Sequence, residues 1–258
     1  MVDTSRRRDG APVGTPSEAL SRLRNGRVLV VGVGGLGVPA ALQLAGAGVG
    51  TIGLVDGDEI ALSNLHRQVI YRRDDLGRRK VVAAAQHLAR LYPQVTVAVH
   101  DERLTAENLV RLFAGFDFVI DGTDHIASKY LVNDGAVLRR VPFSHAGVVG
   151  FQGQTMTVLP GRSACLRCLF PTPPPAGDIP TCQETGVIGA LAGTMGILQA
   201  AEAIKYLLGT GDLLSDRLVT CDALAGRWRT VRLSRAAGCP LCGDSPSIRH
   251  LRCEAEAC

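Results

Sequence analysis

Residues 27–56 read RVLVVGVGGLGVPAALQLAGAGVGTIGLVD, and most of the architecture follows from this one stretch. No charged residue interrupts Val28 to Val55, a run long enough to cross a bilayer. Its eight glycines, Pro39 and changing period argue instead for strand, glycine turn, helix and strand. Arg27 to Val31 is a β-branched strand run, Leu36 to Ala47 a small-residue helix suited to tight packing on a sheet, and Thr51 to Val55 a second buried strand. Parallel strands joined this way need a crossover, so the stretch is a βαβ unit.

The pattern continues outward from that unit. Gly77 to Leu91 is an amphipathic helix stopped by Pro93, with Lys80 in its first turn. Val95 to Val99 reads as strand three, Thr105 to Phe113 as a helix capped by Thr105, and Asp117 to Ile120 as strand four, ending in Asp121-Gly-Thr-Asp124. Ile126 to Leu138 reads as helix. Pro142 to Leu159 is strand-like and Gly-rich, which suggests antiparallel pairing and a mixed sheet. Five prolines between Pro171 and Pro180 exclude a regular element and predict an extended loop. A long apolar helix over Val187 to Leu208 and strands at Arg217 to Cys221 and Trp228 to Leu233 close the chain.

The expected fold class is α/β, a Rossmann-like three-layer arrangement with a mixed sheet and a zinc-tied C-terminal portion. The chain divides into a mobile basic arm (1–20), a Rossmann-like nucleotide-binding region (21–160), a Pro-rich crossover loop (161–185) and a C-terminal helix, strands and metal knuckle (186–258), all in one integrated domain.

Composition narrows the function classes. With 258 residues, 46% hydrophobic and 20% charged, the chain is neither disordered nor a small disulfide scaffold. Lys plus Arg is 28 and Asp plus Glu is 24, a net charge of +4, with three arginines packed at Arg6, Arg7 and Arg8. Outside that tail almost no bias toward nucleic acid remains. The N-terminus lacks an apolar signal region, so the expected location is cytoplasmic, with no membrane partner.

Gly32-Val-Gly34-Gly35-Leu-Gly37 is a GxGxxG turn between strand and helix, and Asp56 lies nineteen residues beyond Gly37 at the end of the next strand. Glycines let backbone approach a phosphate, free helix N–H groups favour an anion, and Asp56 is placed for a ribose hydroxyl. That identifies a nucleotide without choosing one. Taken alone, it would put an NAD-dependent dehydrogenase first.

Cys165-Leu-Arg-Cys168 and Cys239-Pro-Leu-Cys242 are two CxxC knuckles about seventy residues apart. Together they supply four thiolates and no open position, the pattern of a structural zinc site. Two redox-active pairs, or plain buried cysteines, are the alternatives. Cys182, in Thr181-Cys-Gln-Glu-Thr-Gly186, stands near the start of the long helix, where a helix dipole favours thiolate. Cys221 reads as a buried strand residue, and Cys253 and Cys258 as tail.

Ser63-Asn64-Leu65-His66-Arg67-Gln68 follows strand two. With Gly35, Asp56, Lys80 and Asp121-Gly-Thr-Asp124 in order, the chain resembles the ThiF/MoeB/HesA family, bacterial relatives of ubiquitin-activating enzymes, over residues 27 to 242. The resemblance implies ATP-dependent adenylylation of the C-terminal glycine carboxylate of a ubiquitin-like sulfur-carrier protein ending in Gly-Gly. A carboxylate approaching a triphosphate meets repulsion of about 4 kcal/mol for one unit pair at 4 Å in an effective dielectric of 20. The resemblance gives Arg67 and Lys80 the task of offsetting it, Asp124 that of holding Mg²⁺, and Ser63, Asn64 and Gln68 places around the nucleotide. Cys182 becomes either an acceptor of the activated acyl group or a dispensable loop residue, because some members stop at the adenylate and a separate sulfur donor finishes the work.

A homodimer is also implied, with an arginine crossing from an N-terminal RYxRQ-like segment. Here that stretch reads Ser5-Arg-Arg-Arg-Asp9, without the aromatic or the glutamine. His125 and Lys129 stand where the family commonly has Asn and Arg. No rhodanese-like extension follows Cys242, so sulfur is expected to come from elsewhere. Three rivals remain: adenylylation of a short peptide C-terminus, an NAD-dependent dehydrogenase, and a silent scaffold that binds nucleotide and partner.

Overall fold

β-branched and leucine side chains of Arg27–Val31 (β1) point alternately to two buried faces, so helices must cover both sides of the sheet. The computed structural model describes residues 15–175 and 186–251. Among the described residues, Arg27–Val31, Thr51–Val55 (β2), Thr96–His100 (β3) and Phe118–Asp121 (β4) form the parallel half. Phe143–Val149 (β5) pairs parallel with β4, and Gln152–Val158 (β6), Arg217–Asp222 (β7) and Arg227–Arg232 (β8) then continue antiparallel. The order is β3-β2-β1-β4-β5-β6-β7-β8, the mixed sheet expected from sequence.

The helices are Pro16–Asn25 (α1), Gly37–Gly46 (α2), Lys80–Leu91 (α3), Leu109–Phe113 (α4), Ile126–Arg139 (α5), Leu166–Leu169 (α6) and Gly189–Leu208 (α7). Val28, Val30, Ile52 and Leu54 face α2 and α3, while Leu29, Val31, Val119 and Phe143 face the α4 and α5 side. α7 crosses α2 at Gly196, where a Cβ would stand 2.1 Å from the Leu36 carbonyl oxygen. None of the described helices is long and apolar enough to cross a membrane.

Three expectations need correction. The stretch read as an arm over 1–20 ends in helix: Thr15 caps α1 in a reciprocal capping box with Glu18, and Pro16 starts the first turn. Arg22 then donates to the Leu208 carbonyl at 2.8 Å, placing a cation at the C-terminal end of α7. The helix expected over Thr105 to Phe113 is confined to Leu109–Phe113. Thr105 and Asn108 bind each other's backbone N–H instead and close a turn before it. The segment 161–185 is not wholly loop, because the first CxxC folds as α6. Residues 1–14, 176–185 and 252–258 lie outside the described residues, and with them Arg6, Arg7, Arg8, Cys182, Cys253 and Cys258.

Candidate active site

The glycine turn is held by backbone. Gly32 has φ +84°, and a Cβ there would stand 2.8 Å from the Gly122 carbonyl; a Cβ on Gly37 would reach the Gly32 oxygen at 1.9 Å. β1, the first turn of α2 and the loop after β4 are therefore in direct backbone contact. Only glycine leaves room for this. Asp56 lies at the same strand ends, but its Oδ2 accepts from Val33 N at 2.8 Å and its Oδ1 from Asp58 N at 2.9 Å. It thus orients the turn. Burial raises the Asp56 carboxyl above its ordinary value, outweighing Lys80 and the two amides.

Lys80 opens α3, is buried, and sits 2.9 Å from Asp58 and 3.8 Å from Asp56. Arg103 Nη2 reaches the other Asp58 oxygen at 2.8 Å. Although burial works against it, Lys80 and Arg103 together hold the Asp58 carboxyl below its usual range. Tyr71 ties this group to the glycine turn, its hydroxyl donating to Val33 O at 2.9 Å and to Lys80 O at 3.3 Å.

Ser63, Asn64, Arg67 and Gln68 come on the turn after β2. Asn64 Oδ1 accepts from Ala61 N at 3.1 Å, and Arg67 Nη1 donates to Ser63 O at 3.0 Å, so the segment is self-braced. Arg67 Cδ would be 3.3 Å from a Cβ on Gly35, and Gln68 Nε2 3.6 Å from one on Gly34. Gln68 is buried, and its Oε1 has no hydrogen-bond partner among the described residues. Gly189, the first residue of α7, fits against this segment, since a Cβ there would lie 2.7 Å from His66 O. Asp75 anchors its far end: His87 Nε2 lies 2.7 Å from Oδ2 and Arg72 N donates to the same oxygen at 3.0 Å. Asp124 is exposed on the loop after β4, with His125 Nε2 at 3.8 Å. Its carboxylate therefore keeps lone pairs available for a hard cation.

Asp58, Tyr71 and Arg103 were not singled out from the sequence. A second acid two residues after Asp56 was the available signal for Asp58; Tyr71 and Arg103 act through contacts that leave no local pattern.

The four knuckle cysteines converge, all four Sγ atoms within 4.8 Å of one another. Cys165 to Cys168 is 3.9 Å, Cys165 to Cys239 is 3.7 Å, and Cys168 to Cys242 is 3.3 Å. Tetrahedral zinc with Zn–S near 2.3 Å sets S···S edges of about 3.8 Å, which both Cys165 contacts match and the Cys168–Cys242 contact undercuts. Burial and the neighbouring sulfurs push the Cys165 thiol up, and burial first and then Cys168 raise Cys242 to about 12. A divalent cation would offset that cost. α5 holds the first knuckle: Asn133 Oδ1 accepts from Leu166 N at 2.9 Å, and Asp134 takes a two-pronged pair from Arg167 at 2.7 Å for each contact.

The ThiF family model matches residues 8–241. The chain belongs to the ThiF family. A protein named sulfur carrier protein adenylyltransferase, from Thermus thermophilus, is 43% identical to it over 239 residues, covering 91% of this chain and 88% of that one. The adenylyltransferase and sulfurtransferase MOCS3 of Culex quinquefasciatus is 42% identical over 232 residues; the match takes in 89% of this chain and 53% of MOCS3, so the chain spans about half the length of that relative. Crystal structures of Escherichia coli MccB share the fold, with a TM-score of 0.80 at 22% identity over 91% of this chain and 71% of MccB. The mixed eight-stranded sheet with its antiparallel extension is thus a ThiF fold.

Proposed function

We propose that this chain adenylylates the C-terminal glycine carboxylate of a ubiquitin-like sulfur-carrier protein. A carboxylate oxygen attacks the α-phosphorus of ATP, the bond to the bridging oxygen breaks, and diphosphate leaves. The single observation that carries the reading is the 43% identity to a sulfur carrier protein adenylyltransferase along nearly its whole length. The site geometry supports it, because the glycine turn, Asp56 and Lys80 gather at the carboxyl ends of β1, β2 and β4, where an open α/β sheet binds its ligand.

In this reading Gly32, Gly34, Gly35 and Gly37 accept the nucleotide backbone-first, and Asp56 takes a ribose hydroxyl. Arg67 forks onto phosphate oxygens once it turns from Ser63 O, and Lys80 supplies positive charge beside two carboxylates. Ser63, Asn64 and Gln68 complete the nucleotide shell, with the free Gln68 Oε1 ready for a donor. Asp124 would hold Mg²⁺, which supplies charge neutralisation across the phosphates. Zn²⁺ on Cys165, Cys168, Cys239 and Cys242 is structural. The reading includes a homodimer and a separate sulfur donor. A covalent step at Cys182 would form a thioester to the carrier and release AMP.

Intact-mass measurement of a Gly-Gly-tailed carrier incubated with chain, ATP and Mg²⁺ tests this. An AMP adduct on the carrier is expected, absent with Arg67→Ala or Asp124→Ala. A carrier mass on the chain itself that disappears in Cys182→Ser reports the thioester. An adduct on a short peptide but on no carrier would transfer the reading to a peptide substrate. Failure to modify either, with nicotinamide turnover in its place, would move it to the dehydrogenase class.

A further inference from the structure

Asp121 is the last residue of β4 and is fully buried. Its Oδ1 accepts from Thr123 N at 3.1 Å and Thr123 Oγ1 at 2.6 Å, and its Oδ2 from His145 Nδ1 at 2.9 Å and Lys129 Nζ at 3.2 Å. Four donors occupy this carboxylate. It is therefore engaged by protein and is no ligand for substrate.

Three elements besides its own strand converge on it. Asp121 and His145 form the last register pair between β4 and β5, after which β5 runs on toward Val149. Lys129, from the first turn of α5, also donates to Ala146 O at 2.5 Å, one residue beyond that last pair. Gln199, from α7, bridges the strands by donating to Asp121 O at 2.8 Å and Ser144 O at 2.9 Å. The strands part here, and polar side chains replace the ladder.

The turn that follows is the one against the glycines. A Cβ on Gly122 would stand 2.7 Å from Gly32 O and 3.0 Å from Gly37 N, so any displacement of Asp121 presses on the nucleotide turn. Asp124, on the same turn, moves with it. His145 holds Asp121 through Nδ1 alone, since its Nε2 is buried without a hydrogen-bond partner among the described residues. Facing a carboxylate oxygen, Nδ1 is the donor of this pair; burial lowers the imidazole pKa, outweighing the opposing hydrogen bond to Asp121.

We infer that His145 is a positioning residue: by donating to Asp121 it locks the turn 121–124 against Gly32 and Gly37 and so sets where Asp124 meets the phosphates. The kinetic half of this rests on the adenylylation reading, whereas the structural half does not.

Hydrogen exchange of the full chain without nucleotide, read by mass spectrometry on peptides covering 118–126, tests the structural half. In His145→Leu the Thr123 amide should exchange about tenfold faster or more, the size expected from losing a hydrogen bond to a charged group, while strands β1 and β2 keep their protection. His145→Asn, whose amide nitrogen can stand where Nδ1 stood, should restore it. In diphosphate exchange with a Gly-Gly-tailed carrier, His145→Leu should lower kcat about tenfold with KM for the carrier within about twofold, and His145→Asn should recover most of it. Unchanged exchange at 121–124, or an equal rise throughout the sheet, would overturn the inference. If His145→Leu does not fold, His145→Asn is compared with His145→Gln, whose nitrogen falls at the Nε2 position; equal protection of Thr123 in the two would overturn it equally. A wild-type chain that exchanges no diphosphate would count against the function proposed above, and the hydrogen-exchange result would still decide the role of His145.

Discussion

The two functional ends of this molecule keep their shape by opposite means. At the glycine turn, β1, α2 and the loop after β4 meet backbone to backbone, at separations that leave no room for a single carbon on Gly37 or Gly122. At the cysteine cluster, four sulfurs from segments more than seventy residues apart crowd together, and burial beside the other sulfurs raises the Cys165 and Cys242 thiols. One end is set by chain geometry before any ligand arrives. The other has the ligands for a cation, and α5 links the two through Lys129 at its start and Asn133 and Asp134 further along.

Removing the metal is the strongest way to break this contrast. Structural zinc sites contribute on the order of 10 kcal/mol of apparent binding energy, so chelation or Cys239→Ser should unfold the antiparallel half. Hydrogen exchange should show protection lost in β7 and β8 while β1 and β2 retain theirs. Simultaneous loss in both halves would erase the distinction. From the other side, Gly37→Ala sets a methyl carbon 1.9 Å from a carbonyl oxygen that cannot swing away, for an expected loss of about 3 kcal/mol in denaturant unfolding and no measurable ATP binding by calorimetry, with metal content unchanged.

Charge beside the glycine turn comes next. Lys80→Met leaves Asp56 and Asp58 facing each other with Arg103 alone, and should slow adenylate formation by about 10²- to 10³-fold in single-turnover assays. An effect under threefold would mean that Lys80 only pairs the acids.

Asp121 offers a pH test. Burial alone would raise its carboxyl, but Lys129, His145 and Thr123 outweigh that and hold it at about 2, below the ordinary 3.8. A depressed folded pKa stabilises fully above the unfolded value and is lost as pH falls through the folded one. The stability gap between wild type and Asp121→Asn in urea should therefore be constant above about pH 5 and narrow between pH 4 and pH 2. A gap that widens with acid would contradict the assignment. Smallest of all, Thr15→Ala should cost about 1 kcal/mol through the lost cap of α1 and leave both ends of the molecule untouched.

Much of this was legible in the chain. Val28 to Val55 announced strand, turn, helix and strand because period and glycine content are local signals, and the two CxxC pairs announced a cluster because spacing alone brings each pair onto one turn. Thr15-Pro-Ser-Glu18 carried an equally local capping signature, overlooked within a basic, Gly/Pro-punctuated flank. Thr105 read as a cap but closed a turn, since Asn108 competes for the same backbone groups. What no pattern could supply were pairings such as Asp121 with His145, Asp58 with Arg103, or Tyr71 with Val33, each made by strands and loops distant in sequence. Asp124 drew notice for its place in a motif, yet the neighbouring Asp121 is the acid that the fold encloses.

Whether this pocket lets one anion attack another is read most directly by exchange of labelled diphosphate into ATP in the presence of a ubiquitin-fold protein ending in Gly-Gly. Label should enter ATP only when the terminal carboxylate is free, and stop when that tail is amidated. Tight ATP binding without any exchange, whatever glycine-ended polypeptide or peptide is supplied, would contradict the account.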